Sequence, residues 1–199
     1  GGLSEYCHLV PGTAIFTVAD DLSDAMVCPA NCATATVAAA LRVAGDVHDA
    51  VVLIQGVGML GLTAAAMTRS RGAREVITVD INTTRLAQAE RFGATRMFKV
   101  DEEDSLRRFV QRTTNGRGVD VVLELSGAAA SFPLGIDLLR IGGCYVLIGA
   151  VFPTDPTPLS MESIVRKLLR IEGVHNYVPD DLNTALKFLA QEKDVYPFS

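Results

Sequence analysis

The sequence predicts an α/β fold built on a doubly wound, six-stranded parallel sheet. From residue 45 onward, short apolar runs alternate with amphipathic stretches. The apolar runs are rich in Val, Ile and Leu without strict alternation, which is typical of strands buried on both faces of a parallel sheet. Strands and helices that alternate in this order place helices on both faces of the sheet.

Each predicted element follows from this pattern. The strands are residues 50–54, 75–79, 96–99, 119–125, 144–148 and 169–174. The helices, most of them bounded by glycine or capping residues, are residues 30–44, 60–71, 83–92, 102–113, 129–140, 160–168 and 181–191. The uncharged stretch 50–67 approaches the length of a membrane span. Its three glycines and β-branched start favour a strand, a turn and a helix instead.

The first 28 residues have a different character. Short alternating runs at 5–10 and 14–18 lie beside Pro11, Gly12 and Asp20. They predict β-strands that belong to the edge of another domain. We therefore assign residues 1–28 to an incomplete first domain and residues 29–199 to the α/β domain.

The composition excludes several classes of protein. Of 199 residues, 49% are hydrophobic, and 18 Lys and Arg against 23 Asp and Glu give a net charge of −5. Such a chain is neither disordered nor collagen-like. Because Lys and Arg do not cluster, we expect no binding to nucleic acid or to an anionic membrane. Four cysteines are too few for a disulfide scaffold, which predicts a cytoplasmic location.

A G-x-G-x-x-G motif is the strongest local signal. It directly follows the first apolar strand and opens a helix, whose free N–H groups can bind a pyrophosphate. The motif therefore predicts a dinucleotide site at Gly56, Val57, Gly58, Met59, Leu60 and Gly61.

An acidic residue at the end of the next strand indicates which dinucleotide binds. Asp80 lies 19 residues after Gly61, where a carboxylate accepts the ribose hydroxyls and repels a 2′-phosphate. This predicts NAD rather than NADP, with Ile81 and Arg85 near the same ribose. The competing interpretations are that Asp80 or Asn82 only caps the following helix, and that Arg85 is a solvated side chain.

Two further strand ends belong to the same predicted cleft, because ligands of such sheets bind at the carboxyl ends of the strands. They are Ser126-Gly127 and Ile148-Gly149-Ala150. Ordinary strand-to-helix turns have the same composition. Only the position of these two strand ends in the sheet favours a contact with the cofactor.

Taken together, these motifs resemble the medium-chain, zinc-dependent alcohol dehydrogenases. The matching stretches are residues 56–61, 79–82, 92–95, 116–122, 139–143 and 145–149. Residues 173–177 are similar to a branch associated with phosphonate breakdown. The resemblance implies that residues 29–199 form a Rossmann-like nucleotide domain and that residues 1–28 are a short β fragment of a GroES-like catalytic domain.

The resemblance also implies roles for particular residues. Cys32 matches a ligand of the catalytic zinc, Thr36 a position near the nicotinamide, and Ile148 and Val174 backbone contacts to the nicotinamide amide. Without the resemblance, Cys32 is more simply a small core residue, and we interpret Cys28 as packing. The family's other zinc ligands correspond to positions upstream of residue 1. We therefore expect the chain alone not to turn over alcohols, even with zinc and NAD.

The predicted function is hydride transfer between an alcohol or carbonyl substrate and NAD, in a homodimer or homotetramer. One alternative is a zinc-free NADPH-dependent quinone or enoyl reductase of the same superfamily, against which Asp80 and Cys32 both argue. A second alternative is a non-catalytic nucleotide-binding module. A metal assay and a test of NADH turnover distinguish the three.

Overall fold

A parallel sheet forms the centre of the computed structural model, which describes residues 4–153 and 156–198. Its strands are β1 (Val51–Gln55), β2 (Glu75–Asp80), β3 (Arg96–Lys99), β4 (Val119–Glu124), β5 (Leu139–Leu147) and β6 (Arg170–Gly173). All neighbouring strands are parallel, in the order β3-β2-β1-β4-β5-β6. The predicted doubly wound sheet is confirmed, and the strand order reverses between β1 and β4.

Helices cover both faces of the sheet. They are α1 (Asp24–Val27), α2 (Ala35–Ala44), α3 (Met59–Ser70), α4 (Thr83–Ala89), α5 (Glu103–Thr113), α6 (Ser131–Leu138), α7 (Met161–Lys167) and α8 (Pro179–Glu192). One core packs α2, α3 and α8 on the face that carries Val52 and Ile54 of β1. A second core packs α5 and α6 on the face that carries Val51 and Leu53. Because β1 is buried on both faces, its sequence is apolar without alternation.

The predicted N-terminal strands are wrong. Neither residues 5–10 nor residues 14–18 form a strand. The side chains there are largely exposed, with Tyr6 at 87% and Ile15 at 73%. A strand needs a neighbour to complete its ladder of hydrogen bonds, and no described segment pairs with these runs. The assignment of residues 1–28 to another domain stays a prediction.

The sixth helix is shorter than predicted, because β5 begins where the pattern continued the helix. The predicted helix spans residues 129–140, whereas α6 ends at Leu138 and β5 begins at Leu139; Gly142 lies inside β5 with φ +72°. Leu139 pairs with Val119 and Cys144 pairs with Val121, so β5 bulges between these two points. Pairing with β4 therefore overrides the local helical pattern.

The apolar stretch 50–67 forms β1, the glycine turn and the start of α3, as predicted. By length and composition, one helical segment, Asp24–Ala44, meets the criteria for a membrane span, with a mean hydropathy of 1.3. Of its apolar window, 56% is buried inside the fold, as in a core helix. The four cysteines are free thiols, and Cys144 alone is buried.

An ion pair joins the first and last helices of one core. The Asp181 carboxylate, in the first turn of α8, accepts hydrogen bonds from Arg42 Nε and Nη2 of α2 at 2.8 and 2.9 Å. Only 4% of the Asp181 side chain is exposed. The hydrogen bonds from Arg42 hold the pKa of Asp181 below its ordinary value of 3.8.

We expect Asp181→Asn to lower the free energy of unfolding by about 1.5–3 kcal/mol near neutral pH, because a buried charge-assisted pair is lost. A depressed pKa contributes stability above the ordinary pKa, and this stability disappears as the pH falls through the folded value. The difference between the two proteins should therefore shrink between about pH 7 and about pH 2.5 in urea unfolding. The exposed neighbour Asp180→Asn is the control. If Asp181→Asn and the wild type differ by the same free energy of unfolding at both pH values, the depressed pKa of Asp181 is contradicted.

Candidate functional site

The glycine turn between β1 and α3 lies at the carboxyl edge of the sheet, where the strand order reverses. Gly56 has φ +94°, and a Cβ there would lie 2.7 Å from the backbone N of Ser126. A Cβ on Gly61 would lie 2.0 Å from the Gly56 carbonyl oxygen. At Gly58, by contrast, an added Cβ would meet nothing within 4 Å. Packing therefore requires two of the glycines, and the third leaves open space above the turn.

The open space faces the start of α3. Gly58 is the N-cap of this helix, and no side chain caps it. The first N–H groups of the helix, including those of Met59 and Leu60, have no intrahelical acceptor and carry the positive end of the helix dipole. The Val57 N–H is occupied, because it donates to Asp80 Oδ2 at 2.6 Å. The turn thus offers an anion the N–H groups of the helix start rather than that of Val57.

The Asp80 carboxylate is 6% exposed at the end of β2. Besides the bond from Val57, its Oδ1 accepts from the Asn82 N–H at 2.8 Å. Asn82, rather than Asp80, caps α4 by accepting from the Arg85 N–H at 3.1 Å. Each Asp80 oxygen still has a lone pair for a ribose hydroxyl. Ile81 and Arg85 are both exposed beside it. Sequence reasoning missed the link between Asp80 and the glycine turn.

The strand ends of β4 and β5 pack directly on one another. A Cβ on Gly127 would lie 2.6 Å from the Gly149 carbonyl oxygen, and one on Gly149 would lie 2.4 Å from the Gly127 nitrogen. Glycine is required at both positions by this backbone contact, and their place in the cofactor cleft stays a prediction. Ser126 and Ala150 are exposed on either side.

Glu124, the last residue of β4, is a site residue that the sequence reasoning missed. It is 2% exposed. Its Oε1 accepts from Ser126 N–H, Ser126 Oγ–H and Gly127 N–H at 2.8, 2.6 and 2.8 Å. Its Oε2 has no hydrogen-bond partner within residues 4–153 and 156–198. The signal available in the sequence was an acidic residue directly after the apolar run Val121–Leu123.

Ile148 and Val174 lie at the ends of the neighbouring strands β5 and β6. The Ile148 N–H donates to the Glu124 carbonyl, and the Val174 N–H donates to the Leu147 carbonyl, both at 2.9 Å. Only the carbonyl oxygens of these two residues therefore remain for a ligand.

Cys32 lies in a π-helical turn, Ala30–Thr34, which continues into α2. The turn packs against α3 and α8. Cys32 is exposed, and Thr36 one turn later is half-buried. Cys28 is also exposed and lines a cavity of about 400 Å³ with the N-terminal segment, so the interpretation of Cys28 as packing is wrong.

A zinc site is not assembled by the part of the chain that the structure describes. No group of three His, Cys, Asp or Glu side chains there could hold a metal ion. Cys32 remains the single candidate ligand, and three protein ligands normally hold a catalytic zinc. The residues present therefore do not fit the metal by themselves.

A larger cavity, of about 830 Å³, lies at the opposite edge, near the start of β4 and β5. Two of its arginines are already paired within the chain. Arg107 contacts Glu103 and Asp137, and Arg140 contacts Asp120. The carboxyl edge, with its open turn, is the better candidate site.

Comparisons with known proteins show what the chain is similar to. A family model described as zinc-binding dehydrogenase matches residues 59–191. The chain is similar to 5-exo-hydroxycamphor dehydrogenase of Pseudomonas putida, with 28% identity over 100% of this chain and 56% of the relative. It is 34% identical to L-threonine 3-dehydrogenase of Anaeromyxobacter dehalogenans, over 88% of this chain and 49% of the relative.

A solved structure gives the same result. An alcohol dehydrogenase from Thermotoga maritima superposes with a TM-score of 0.83 at 28% identity, over 87% of this chain and 50% of that one. The chain thus spans about half the length of the relatives that it matches.

Proposed function

The chain belongs to the zinc-binding dehydrogenase family, and from this premise we propose that it is the NAD-binding part of an alcohol dehydrogenase-like oxidoreductase. The substrate class is a small alcohol or the corresponding carbonyl compound. The phosphonate-associated branch and a cytoplasmic location stay predictions.

The observation that carries the proposal is the pairing of an open, uncapped helix start with a buried aspartate one strand away. The N–H groups at the start of α3 fit a pyrophosphate. Asp80 fits the adenosine ribose diol on the β2 side. The nicotinamide half then extends over the ends of β4, β5 and β6. These residues fit a dinucleotide without any change to the turn.

When bound, NAD would supply a hydride acceptor for the alcohol carbon, and the hydroxyl proton would leave to solvent. The products are a carbonyl compound and reduced coenzyme. The residues of this chain hold and orient the coenzyme through the α3 N–H groups, Asp80, and the Ile148 and Val174 carbonyls. We assign no step to zinc, because Cys32 is the single candidate ligand in the described ranges.

Binding of NADH by the purified chain tests the proposal. We expect a saturable change of NADH fluorescence that is stronger than with NADPH at equal concentration, because Asp80 repels a 2′-phosphate. Equal or tighter binding of NADPH would favour the alternative of a quinone or enoyl reductase. Binding of neither coenzyme would refute the proposed function.

We further propose that the chain self-associates through the β6 edge. β6 is the last strand of the sheet, so its outer backbone groups form no ladder within the described chain. Exposed apolar side chains lie in the helix and turn that precede β6 along the chain. These are Met161 (80%), Val165 (71%) and Leu168 (69%). Such an edge is protected in many proteins by pairing with a second copy.

Leu168→Lys is therefore expected to shift the chain toward monomer, because a charge then lies on the apolar margin of the interface. Sedimentation velocity over a range of concentrations measures the shift. Val195→Lys, at a side chain 63% exposed elsewhere on the surface, is the matched control. A wild-type chain that stays monomeric at every concentration would refute this proposal.

A further inference from the structure

Glu124 carries a negative charge that nothing in the described chain neutralises. Three donors converge on its Oε1: the Ser126 N–H, the Ser126 hydroxyl and the Gly127 N–H. None of the ion pairs found among the described residues includes it. Its other oxygen, Oε2, is buried and has no hydrogen-bond partner there.

The surroundings of this carboxylate screen its charge only weakly. Glu124 lines a cavity of about 250 Å³ whose other described lining residues, among them Phe132, Leu147 and Leu159, are uncharged. Burial raises the pKa of the nearby Tyr145 hydroxyl above its ordinary value of 10, and the charge on Glu124 raises it further. In so weakly polar a region, a charge acts on its neighbours far more strongly than in water.

The carboxylate also lies under one particular half of the coenzyme, provided that the proposed function holds. In that case, Asp80 binds the adenosine ribose at the end of β2, and the start of α3 binds the pyrophosphate beside β1. The nicotinamide half therefore lies on the other side of β1, over the ends of β4 and β5. Glu124 ends β4, and its Oε1 fixes the turn at Ser126 and Gly127 on that edge.

The nicotinamide ring is positively charged when oxidised and neutral when reduced. A buried negative charge beneath it stabilises the oxidised form selectively. We propose that Glu124 makes this site favour oxidised over reduced coenzyme, and so sets the ratio of the affinities for NAD⁺ and NADH. Reduced coenzyme is then released more readily than oxidised coenzyme.

Removal of the charge at constant shape tests this inference. Glu124→Gln keeps an oxygen acceptor for the Ser126–Gly127 turn and loses the charge. We expect the ratio of the NAD⁺ to the NADH dissociation constant to rise about tenfold, the size of effect expected of one charge at short range in a protein. NADH binding is measured by fluorescence, and NAD⁺ binding by displacement of NADH. Glu124→Met, an apolar side chain of similar length, should raise the same ratio.

Glu90→Gln, at an exposed glutamate away from this edge, is the matched control and should leave the ratio unchanged. If Glu124 has a purely structural role, the Gln and Met variants should bind NAD⁺ and NADH more weakly by the same factor. An unchanged ratio with both coenzymes still bound would therefore overturn the inference and leave the proposed function standing. If the wild-type chain binds neither coenzyme, the proposed function fails and the inference fails with it.

Discussion

Replacement of Gly61 by alanine is expected to destabilise the fold by about 3 kcal/mol or more. The added Cβ would lie 2.0 Å from the Gly56 carbonyl oxygen, so either α3 or the glycine turn must move. Alanine favours a helix over glycine by only about 1 kcal/mol. The clash involves backbone on both sides and outweighs this gain. Because the turn is also the candidate pyrophosphate site, NADH binding should be lost together with stability.

Urea unfolding followed by circular dichroism measures the change in the free energy of unfolding. Gly173→Ala is the matched control, because an added Cβ there would meet nothing within 4 Å and the backbone is not in the left-handed region. We expect this variant to unfold like the wild-type chain. If Gly61→Ala unfolds at the same urea concentration as the wild type and Gly173→Ala, the stability of α3 does not depend on its close approach to Gly56.

Replacement of Asp80 by alanine is expected to weaken NADH binding by roughly ten- to a hundredfold. A charge-assisted hydrogen bond contributes about 1.5–3 kcal/mol, and about 1.4 kcal/mol corresponds to tenfold in affinity. NADPH should lose less, because the repulsion of its 2′-phosphate by Asp80 disappears at the same time. The preference for NADH over NADPH therefore narrows. The Val57 and Asn82 N–H groups also lose their acceptor. The glycine turn is then held less firmly, which weakens coenzyme binding further.

Fluorescence titration of both proteins with both coenzymes tests this expectation. Asp46→Ala is the matched control, since the Asp46 carboxylate also accepts a backbone N–H, that of His48, at an exposed loop position. The control should bind both coenzymes like the wild type. An unchanged preference in Asp80→Ala would show that another group selects the coenzyme.

Local patterns determined much of the fold. β1 is recognisable because every one of its residues is buried, and its first four residues, Val51–Ile54, are all apolar. The need for Gly61 arises within one strand-turn-helix unit, because an added Cβ would meet the Gly56 carbonyl oxygen, whereas Gly56 is required by Ser126 after β4. Asp80 was found by its place at the end of β2. Where the deciding contact lies within one supersecondary unit, as at Gly61, the pattern is visible in a short stretch of sequence.

Other features depend on partners far along the chain. The runs at 5–10 and 14–18 alternate like strands and yet form none, because alternation does not supply a neighbouring strand. Gly142 lies in β5 rather than beyond a helix, because pairing with β4 draws the chain into the sheet. The bond from Val57 to Asp80 joins residues 23 positions apart. The uncompensated charge of Glu124 emerges only when β4 is buried between β1 and β5. The sequence by itself determined which short segments are strands, helices and turns, whereas strand pairing and the burial of polar groups were decided by tertiary contacts that no local pattern encodes.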